Sequence, residues 1–220
     1  MDKPVKKIIV LVSGSGSNLQ AIIDACQVGD IHAEIVAVIS NKPNVFALQR
    51  AKEAQITTHI IAHTLYTDRS LFDMAVAKQI DYYQPDLIIL AGYMRILTPT
   101  FIQRFQGKIV NIHPSLLPKY PGLRTHQRAI DAGDNIHGAT VHFVTEQLDG
   151  GPIILQATVP ILTDDNQDTL KARVLTKEHQ IYPLAIKWFI EGRLTMQNNQ
   201  AYLDGKLLPL CGWDSTAKMT

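Results

Sequence analysis

The sequence predicts an α/β protein, an open, mostly parallel, twisted sheet with helices on both faces. Three observations carry that reading. Short, continuous runs of β-branched and aliphatic residues recur along the first half of the chain, as in strands buried on both faces. Stretches with apolar residues at helical spacing alternate with them. The strand-like runs end in polar or glycine-rich segments, and open parallel sheets bind ligands beyond the carboxyl ends of their strands.

The elements follow in order. Ile-Ile-Val-Leu-Val at 8–12 is the first buried strand; Gly14 and Gly16 then turn the chain, and Leu19, Ile22, Ile23 and Cys26 recur on one helical face, which places Cys26 in the core. Residues 35–39 form the second strand, a helix is predicted near 46–54, and 58–61 reads as a short third strand. The helix predicted over 68–83 starts at Thr67 or Asp68 as cap and carries Leu71, Met74, Ala75 and Ile80 on one side. Residues 87–91 and 108–112 are two further apolar strands. Residues 139–144 and 152–159 are strand candidates around the turn signal Asp149-Gly150-Gly151. Residues 166–188 read as a long C-terminal helix that Pro183 must bend or interrupt. The tail from Thr195 alternates around Asp204-Gly205, as a small hairpin does. With no repeat and no linker, the chain reads as one Rossmann-like domain over 1–220, with halves at about 7–105 and 106–209.

A chain of 220 residues buries roughly 70% of its unfolded surface and needs no staples. The balance of 46% hydrophobic and 19% charged residues is that of a globular protein, and a net charge of +1 argues against a general nucleic-acid binder. Cys26 and Cys211, the two cysteines, read as reduced thiols of a cytoplasmic protein. No apolar run reaches the roughly 18 residues of a membrane span. The charged opening, with its short apolar run, does not make a signal peptide.

The turn at Gly14 and Gly16 sits between a buried strand and a helix, where backbone amides attract an anion and Ser15, Ser17 and Asn18 add donors. A dinucleotide fingerprint would need a glycine where Leu19 stands and an acidic residue where Ser40-Asn41 stands, so a single phosphate is the better fit. A tight strand-to-helix turn with no ligand explains the same glycines.

Asn111 and His113 lie two apart at a strand end and so share a face. An amide and an imidazole there can stabilise an oxyanion and move protons. Asp149 stands in a glycine-rich turn, from which a carboxylate can orient His113 and hold it as the cation. Taken singly, each also reads as an ordinary structural residue. The remaining histidines, His142 among them, lack metal-ligand spacing and read as structural or surface.

Four segments in order carry a resemblance: Ser-Gly-x-Gly-Ser-Asn at 13–18, Ala-Gly-Tyr-Met-Arg-Ile-Leu at 91–97, Asn-Ile-His-Pro-Ser-Leu-Leu-Pro at 111–118 and Leu-Asp-Gly-Gly-Pro at 148–152. The chain resembles the folate-dependent phosphoribosylglycinamide formyltransferases of purine synthesis, over about residues 7–209. The Asn-x-His and Asp set alone is similar to the wider formyltransferase group, including methionyl-tRNA formyltransferase and formyltetrahydrofolate hydrolase. A tRNA-directed member would be expected to carry a further basic domain, and a hydrolase a regulatory one.

The resemblance implies a formyltransferase fold and direct transfer of the formyl group of 10-formyltetrahydrofolate to the amine of glycinamide ribonucleotide, with no metal and no covalent enzyme intermediate. It assigns catalysis to Asn111, His113 and Asp149, and the ribonucleotide phosphate to Gly16, Ser17 and Asn18. Met94, Arg95, Ile96 and Leu97 are assigned to the folate pocket, with Asn111 and with the turn of Thr145, Glu146, Gln147, Leu148 and Asp149. Arg69 matches a position near the glutamate tail of the folate. Glu178 matches a carboxylate near the glycinamide amine, although an acidic residue on that helix is more often solvated surface. The partners implied are these small molecules, with no nucleic acid and no membrane, for a monomer or weak homodimer. Two other readings stand beside it: another formyl-transfer or formyl-hydrolysis enzyme, and a non-catalytic nucleotide-binding module that would leave Asn111, His113 and Asp149 without purpose.

Overall fold

Fully buried aliphatic strands dictate the architecture: every residue from Ile8 to Val12 is at 0% exposure. The computed structural model describes residues 4–214, so the first charged residues of the opening, 1–3, lie outside the described residues. The chain divides after Val110 into two compact units. The sheet is mostly parallel, as the apolar runs imply.

In the first unit, β1 (Lys6–Val12), β2 (Ala33–Ser40), β3 (Thr58–Ile60) and β4 (Leu87–Leu90) lie side by side in the order β4-β1-β2-β3. The β1/β2, β1/β4 and β2/β3 pairs are all parallel. The crossovers are α1 (Ser17–Gln27), α2 (Phe46–Glu53) and α3 (Arg69–Tyr83). Right-handed crossovers put α1 and α2 on one face. The chain then reverses direction across the sheet to reach β4, which puts α3 on the other. That reversal makes the gap between the carboxyl ends of β1 and β4 a topological switch point, where open sheets of this kind bind ligands.

Asp68, not Thr67, caps α3, its carboxylate accepting from the Leu71 amide at 2.9 Å. The buried face of α3 differs from the expected one. Phe72, Asp73, Val76, Ala77 and Ile80 face the core, whereas Leu71 and Met74 are 47% and 64% exposed. The helix offers two apolar stripes one residue apart, and the one containing the larger Phe72 wins the core. Cys26 is half-buried rather than core, and both cysteines are free thiols. A short helix that the sequence reading passed over, α4 (Pro99–Arg104), starts at the Thr98 side-chain cap with Pro99 in its first turn. The Ile88 amide donates to the Lys108 carbonyl at 2.8 Å, just before β5 (Ile109–His113), which ends in the second unit.

In the second unit, β6 (Ile136–Phe143) and β7 (Ile153–Pro160) pair antiparallel around the Asp-Gly-Gly turn. Short β11 (Trp213–Asp214) runs parallel to β7, giving the order β11-β7-β6-β5. The unit also holds α5 (Thr125–Asp131), absent from the sequence reading, and α6 (Gln167–Ile190), which packs on β6 and β7. Asn166 and Thr169 close a reciprocal capping box at the start of α6. Of the bend or interruption expected at Pro183, the interruption does not occur. One lost helical hydrogen bond is offset by a face that buries Ile181, Tyr182, Ala185, Ile186 and Trp188. The tail forms three antiparallel strands, β8 (Leu194–Gln197), β9 (Gln200–Leu203) and β10 (Lys206–Leu207). Both turns have positive φ at both central residues, Asn198 and Asn199 (48° and 59°), then Asp204 and Gly205 (52° and 75°). No helix among the described residues is long and apolar enough to cross a membrane.

The two stripes of α3 give a direct test. Phe72→Ala should cost about 3–5 kcal/mol of unfolding free energy. Met74→Ala should stay within about 0.5 kcal/mol. Urea unfolding of both variants reads the difference, and the reverse order would restore the face expected from periodicity.

Candidate active site

The turn after β1 is built from hydrogen bonds that its sequence foreshadows. The Ser13 hydroxyl donates to Asn41 Oδ1 at 2.6 Å and accepts the Met94 amide at 2.8 Å. Ser13 and Asn41 are buried, so this link joins the carboxyl ends of β1, β2 and β4 at the switch point. The Ala47 amide donates to the Gly14 carbonyl at 3.1 Å, and Arg50 Nε donates to the Ser15 carbonyl at 3.0 Å. Gly16 is the N-cap of α1, with φ +72°, and no side chain caps the helix there. The helix therefore starts without a side-chain cap, and the first-turn amides of such a start attract an anion. A Cβ on Gly16 would lie 2.7 Å from Cα and Cβ of Ala47, so α2 approaches to where only glycine fits.

Residues 94–97 form irregular backbone between β4 and α4. Met94 and Ile96 are 63% and 50% exposed, whereas Leu97 is buried. Buried Asp73 accepts the Thr98 amide at 2.6 Å and holds the far end of this segment. Burial pushes the Asp73 carboxyl up, opposed by the Thr98 hydrogen bonds and by the charges of Arg69 and Arg95. Arg69 is exposed at the start of α3; Arg95 is half-buried, with its guanidinium 5.8 Å from the centre of the Phe72 ring.

In the second unit, alternation along β5 puts Asn111 and His113 on one side, as expected. His113 Nε2 lies 2.9 Å from the Tyr120 carbonyl. A carbonyl only accepts, so Nε2 carries a proton and Nδ1 faces Asp149, 3.5 Å from Oδ2. The segment between them is pinned by Thr140. Its hydroxyl donates to the Ser115 carbonyl at 2.6 Å and accepts the Leu117 amide at 3.0 Å. The Ser115 hydroxyl then donates to the Lys119 carbonyl at 2.7 Å.

Asp149 has φ +50°, a left-handed conformation that aspartate tolerates better than most residues. A Cβ on Gly151 would overlap the Phe143 carbonyl, so the turn closes tightly enough to carry the carboxylate inward. There Oδ2 accepts the Gly122 amide at 2.8 Å, and the side chains of His113 and Asp149 are only 7% and 9% exposed. Thr145 is half-buried; Glu146, Gln147 and Leu148 are exposed.

The cluster has a fourth member that the sequence reading set aside. His142 is buried at the end of β6, with Nε2 3.2 Å from Asn111 Nδ2 and 3.9 Å from Asp149 Oδ1. Burial pulls its imidazole down to about 4, against the favourable pull of the Phe143 carbonyl and Asp149, so it is neutral at pH 7. Glu178 is 7% exposed on α6, so it is not the solvated surface residue that its place on a helix alone suggests. His126 and His137 pack edge to face at 5.2 Å, and burial lowers His126 to about 4. Burial raises the Cys26 thiol, in the other unit, to about 11, leaving it a poor nucleophile. No group of side chains placed to hold a metal ion occurs among the described residues.

The second-unit cluster thus offers an amide donor, an imidazole and a carboxylate in one buried place, the components of oxyanion stabilisation and proton transfer. The first-unit turn offers uncapped amides held by close packing. The two glycines of that turn should respond differently to one methyl group. Gly16→Ala should lower stability by about 1–3 kcal/mol through its backbone angle and the contact with Ala47. Gly14→Ala, with nothing within 4 Å of the added carbon, should shift it by about 0.5 kcal/mol or less. Equal losses in a denaturant titration would contradict the close approach of α2.

Residues 6–186 match the family described as formyl transferase. The chain is 53% identical to the phosphoribosylglycinamide formyltransferase of Escherichia coli (strain K12) over 206 residues, 94% of this chain and 97% of that protein. It is 57% identical to the enzyme of the same description from Haemophilus influenzae over 209 residues, covering 95% and 99%. A solved phosphoribosylglycinamide formyltransferase from Coxiella burnetii, in complex with CHES, superposes with a TM-score of 0.92 at 50% identity, covering 96% of this chain and 99% of that one. A formyltetrahydrofolate deformylase from Pseudomonas syringae is 25% identical with a TM-score of 0.84, and only 66% of that chain is covered. A match of this extent, with near full-length likeness to such enzymes, makes the chain a member of the formyl transferase family.

Proposed function

We propose that this protein transfers the formyl group of 10-formyltetrahydrofolate to the amine of 5-phosphoribosyl-glycinamide, in the cytoplasm, as a step of de novo purine biosynthesis. The observation that carries the chemistry is the buried His113 and Asp149 pair at 3.5 Å, with the Asn111 amide on the same face of β5. The choice of substrates rests on the 53% and 57% identity to phosphoribosylglycinamide formyltransferases over nearly the whole chain. The alternative of a formyl hydrolase has the weaker support of a 25% likeness.

Attack of the amine on the formyl carbon places negative charge on the former carbonyl oxygen. Asn111 donates an N–H to that oxygen. His113 acts as the imidazolium, its N–H groups directed at the Tyr120 carbonyl and toward Asp149, and supplies positive charge beside the oxyanion. Asp149 orients His113 and, through a water, carries the proton from the amine to N10 of the folate. Collapse of the tetrahedral species then breaks the bond from carbon to N10. Gly16, Ser17 and Asn18 hold the ribonucleotide phosphate at the start of α1, and Glu178 meets the glycinamide amine. The backbone of Met94, Arg95, Ile96 and Leu97 and the turn from Thr145 to Asp149 hold the pterin, with Arg69 near the glutamate tail. Much of the rate comes from holding two substrates together, an effect worth up to about 7–11 kcal/mol in favourable cases.

Incubation with 10-formyltetrahydrofolate tests the reading. Formyl loss only when the ribonucleotide is present supports it; loss without the ribonucleotide supports a hydrolase, and no loss at all a binding module. Asp149→Asn keeps the shape and deletes the charge, and should lower turnover at saturating substrates by about 10²–10⁴ with much smaller changes in affinity. Near-normal turnover of that variant would remove Asp149 from the chemistry.

A further inference from the structure

We propose that His142 is a positioning residue for this formyl transfer: its buried ring locks the Asn111 amide so that one Nδ2–H stays free for the developing oxyanion. The proposal rests on the reading of Asn111 as the oxyanion donor.

His142 Nδ1 lies 2.9 Å from the Phe143 carbonyl, which can only accept, so the ring proton sits on Nδ1. The ring is buried and neutral, which leaves Nε2 with a bare lone pair. The amide atom 3.2 Å from that lone pair must then be a donor, so the Nδ2 end of Asn111 faces His142. A primary amide nitrogen carries two protons. One goes to His142, and the other remains on the half-buried side chain of Asn111 for the reacting oxygen. A flipped amide would set Oδ1 against Nε2, two acceptors in contact, and would put a lone pair where the donor is needed.

The same tautomer protects the carboxylate. Asp149 Oδ1 lies 3.9 Å from Nε2, and a ring with no proton there cannot draw it away from His113 and Gly122. The register of the β6/β7 ladder shifts between Val141 and His142, the kind of local irregularity that re-aims a side chain at a functional site. Neither the Nδ1–H form nor the shift is needed to fill the core, since an apolar residue would do that without a buried polar ring.

Two measurements test this. Nitrogen-15 NMR of protein labelled in histidine should find His142 neutral at pH 7 with its proton on Nδ1. A proton on Nε2, or a charged ring, would overturn the proposal whether or not the formyl-transfer reading holds. The second measurement is a pair of variants. His142→Leu fills the space without an acceptor and should lower kcat by about 10- to 100-fold, leaving both KM values nearly unchanged. His142→Gln, whose amide oxygen can reach the Nε2 position, should recover a large part of that loss. Equal losses in both variants with KM values rising in parallel would mean that His142 only packs, and an unchanged kcat in His142→Leu would end its role. A wild-type protein that releases no formyl group refutes the formyl-transfer reading and with it the role given to His142, whereas the NMR result bears on the tautomer alone.

Discussion

A carboxylate held inside the protein at Asp149 is the constraint on which the second unit depends. Ionised carboxylates are costly to bury unless they are paired and hydrogen-bonded. Here the partners are the Gly122 amide at 2.8 Å and His113 Nδ1 at 3.5 Å. Those partners explain neighbouring features that otherwise look arbitrary. The turn must bring Asp149 in at positive φ, which calls for the tight closure that Gly151 permits against the Phe143 carbonyl. Thr140 must pin the segment after His113 so that the Tyr120 carbonyl meets Nε2 and leaves Nδ1 for the carboxylate. His142 must stay neutral so as not to compete.

The first unit solves a different problem with the same economy. A switch point in a parallel sheet opens a crevice between β1 and β4, and the crevice needs fixed walls to be a site. One buried hydroxyl, that of Ser13, ties the end of β1 to Asn41 after β2 and to the Met94 amide after β4. The turn proposed for phosphate and the segment proposed for the pterin therefore share a hydrogen bond. Gly16 lets α2 press against the turn, which keeps the first amides of α1 in place.

Much of this was legible in the sequence, and the rest was hidden for physical reasons. The parallel strands were readable because strands buried on both faces are continuous apolar runs, as residues 8–12 are. Asn111, His113 and Asp149 were readable because strand alternation and a glycine-rich turn constrain where such residues point. The face of α3 was misread because Leu71 and Met74 match the helical period as well as Phe72 and Val76 do, and only packing decides between them. His142 was invisible because the residue pairing that reveals it lies in space: Asn111 is on β5, His142 on β6, and the register shift falls between Val141 and His142. Glu178 is singled out by the resemblance alone, because helical position by itself suggests surface, whereas α6 turns it inward with Val174, Ile181 and Tyr182. The first tail turn is hidden in the sequence because Asn198 and Asn199 carry no glycine, although asparagine adopts positive φ readily.

In the proposed mechanism His113 and Asp149 act as one unit rather than as two independent contributors. A double-mutant cycle on turnover measures this directly, with Asp149→Asn, His113→Asn and the double variant assayed at saturating substrates. Groups that act as a unit are strongly non-additive, so the double variant should be no more than about threefold slower than the worse single variant. Losses that multiply, leaving the double variant slower by the product of the two single effects, would show that the carboxylate and the imidazole work separately and would contradict the account.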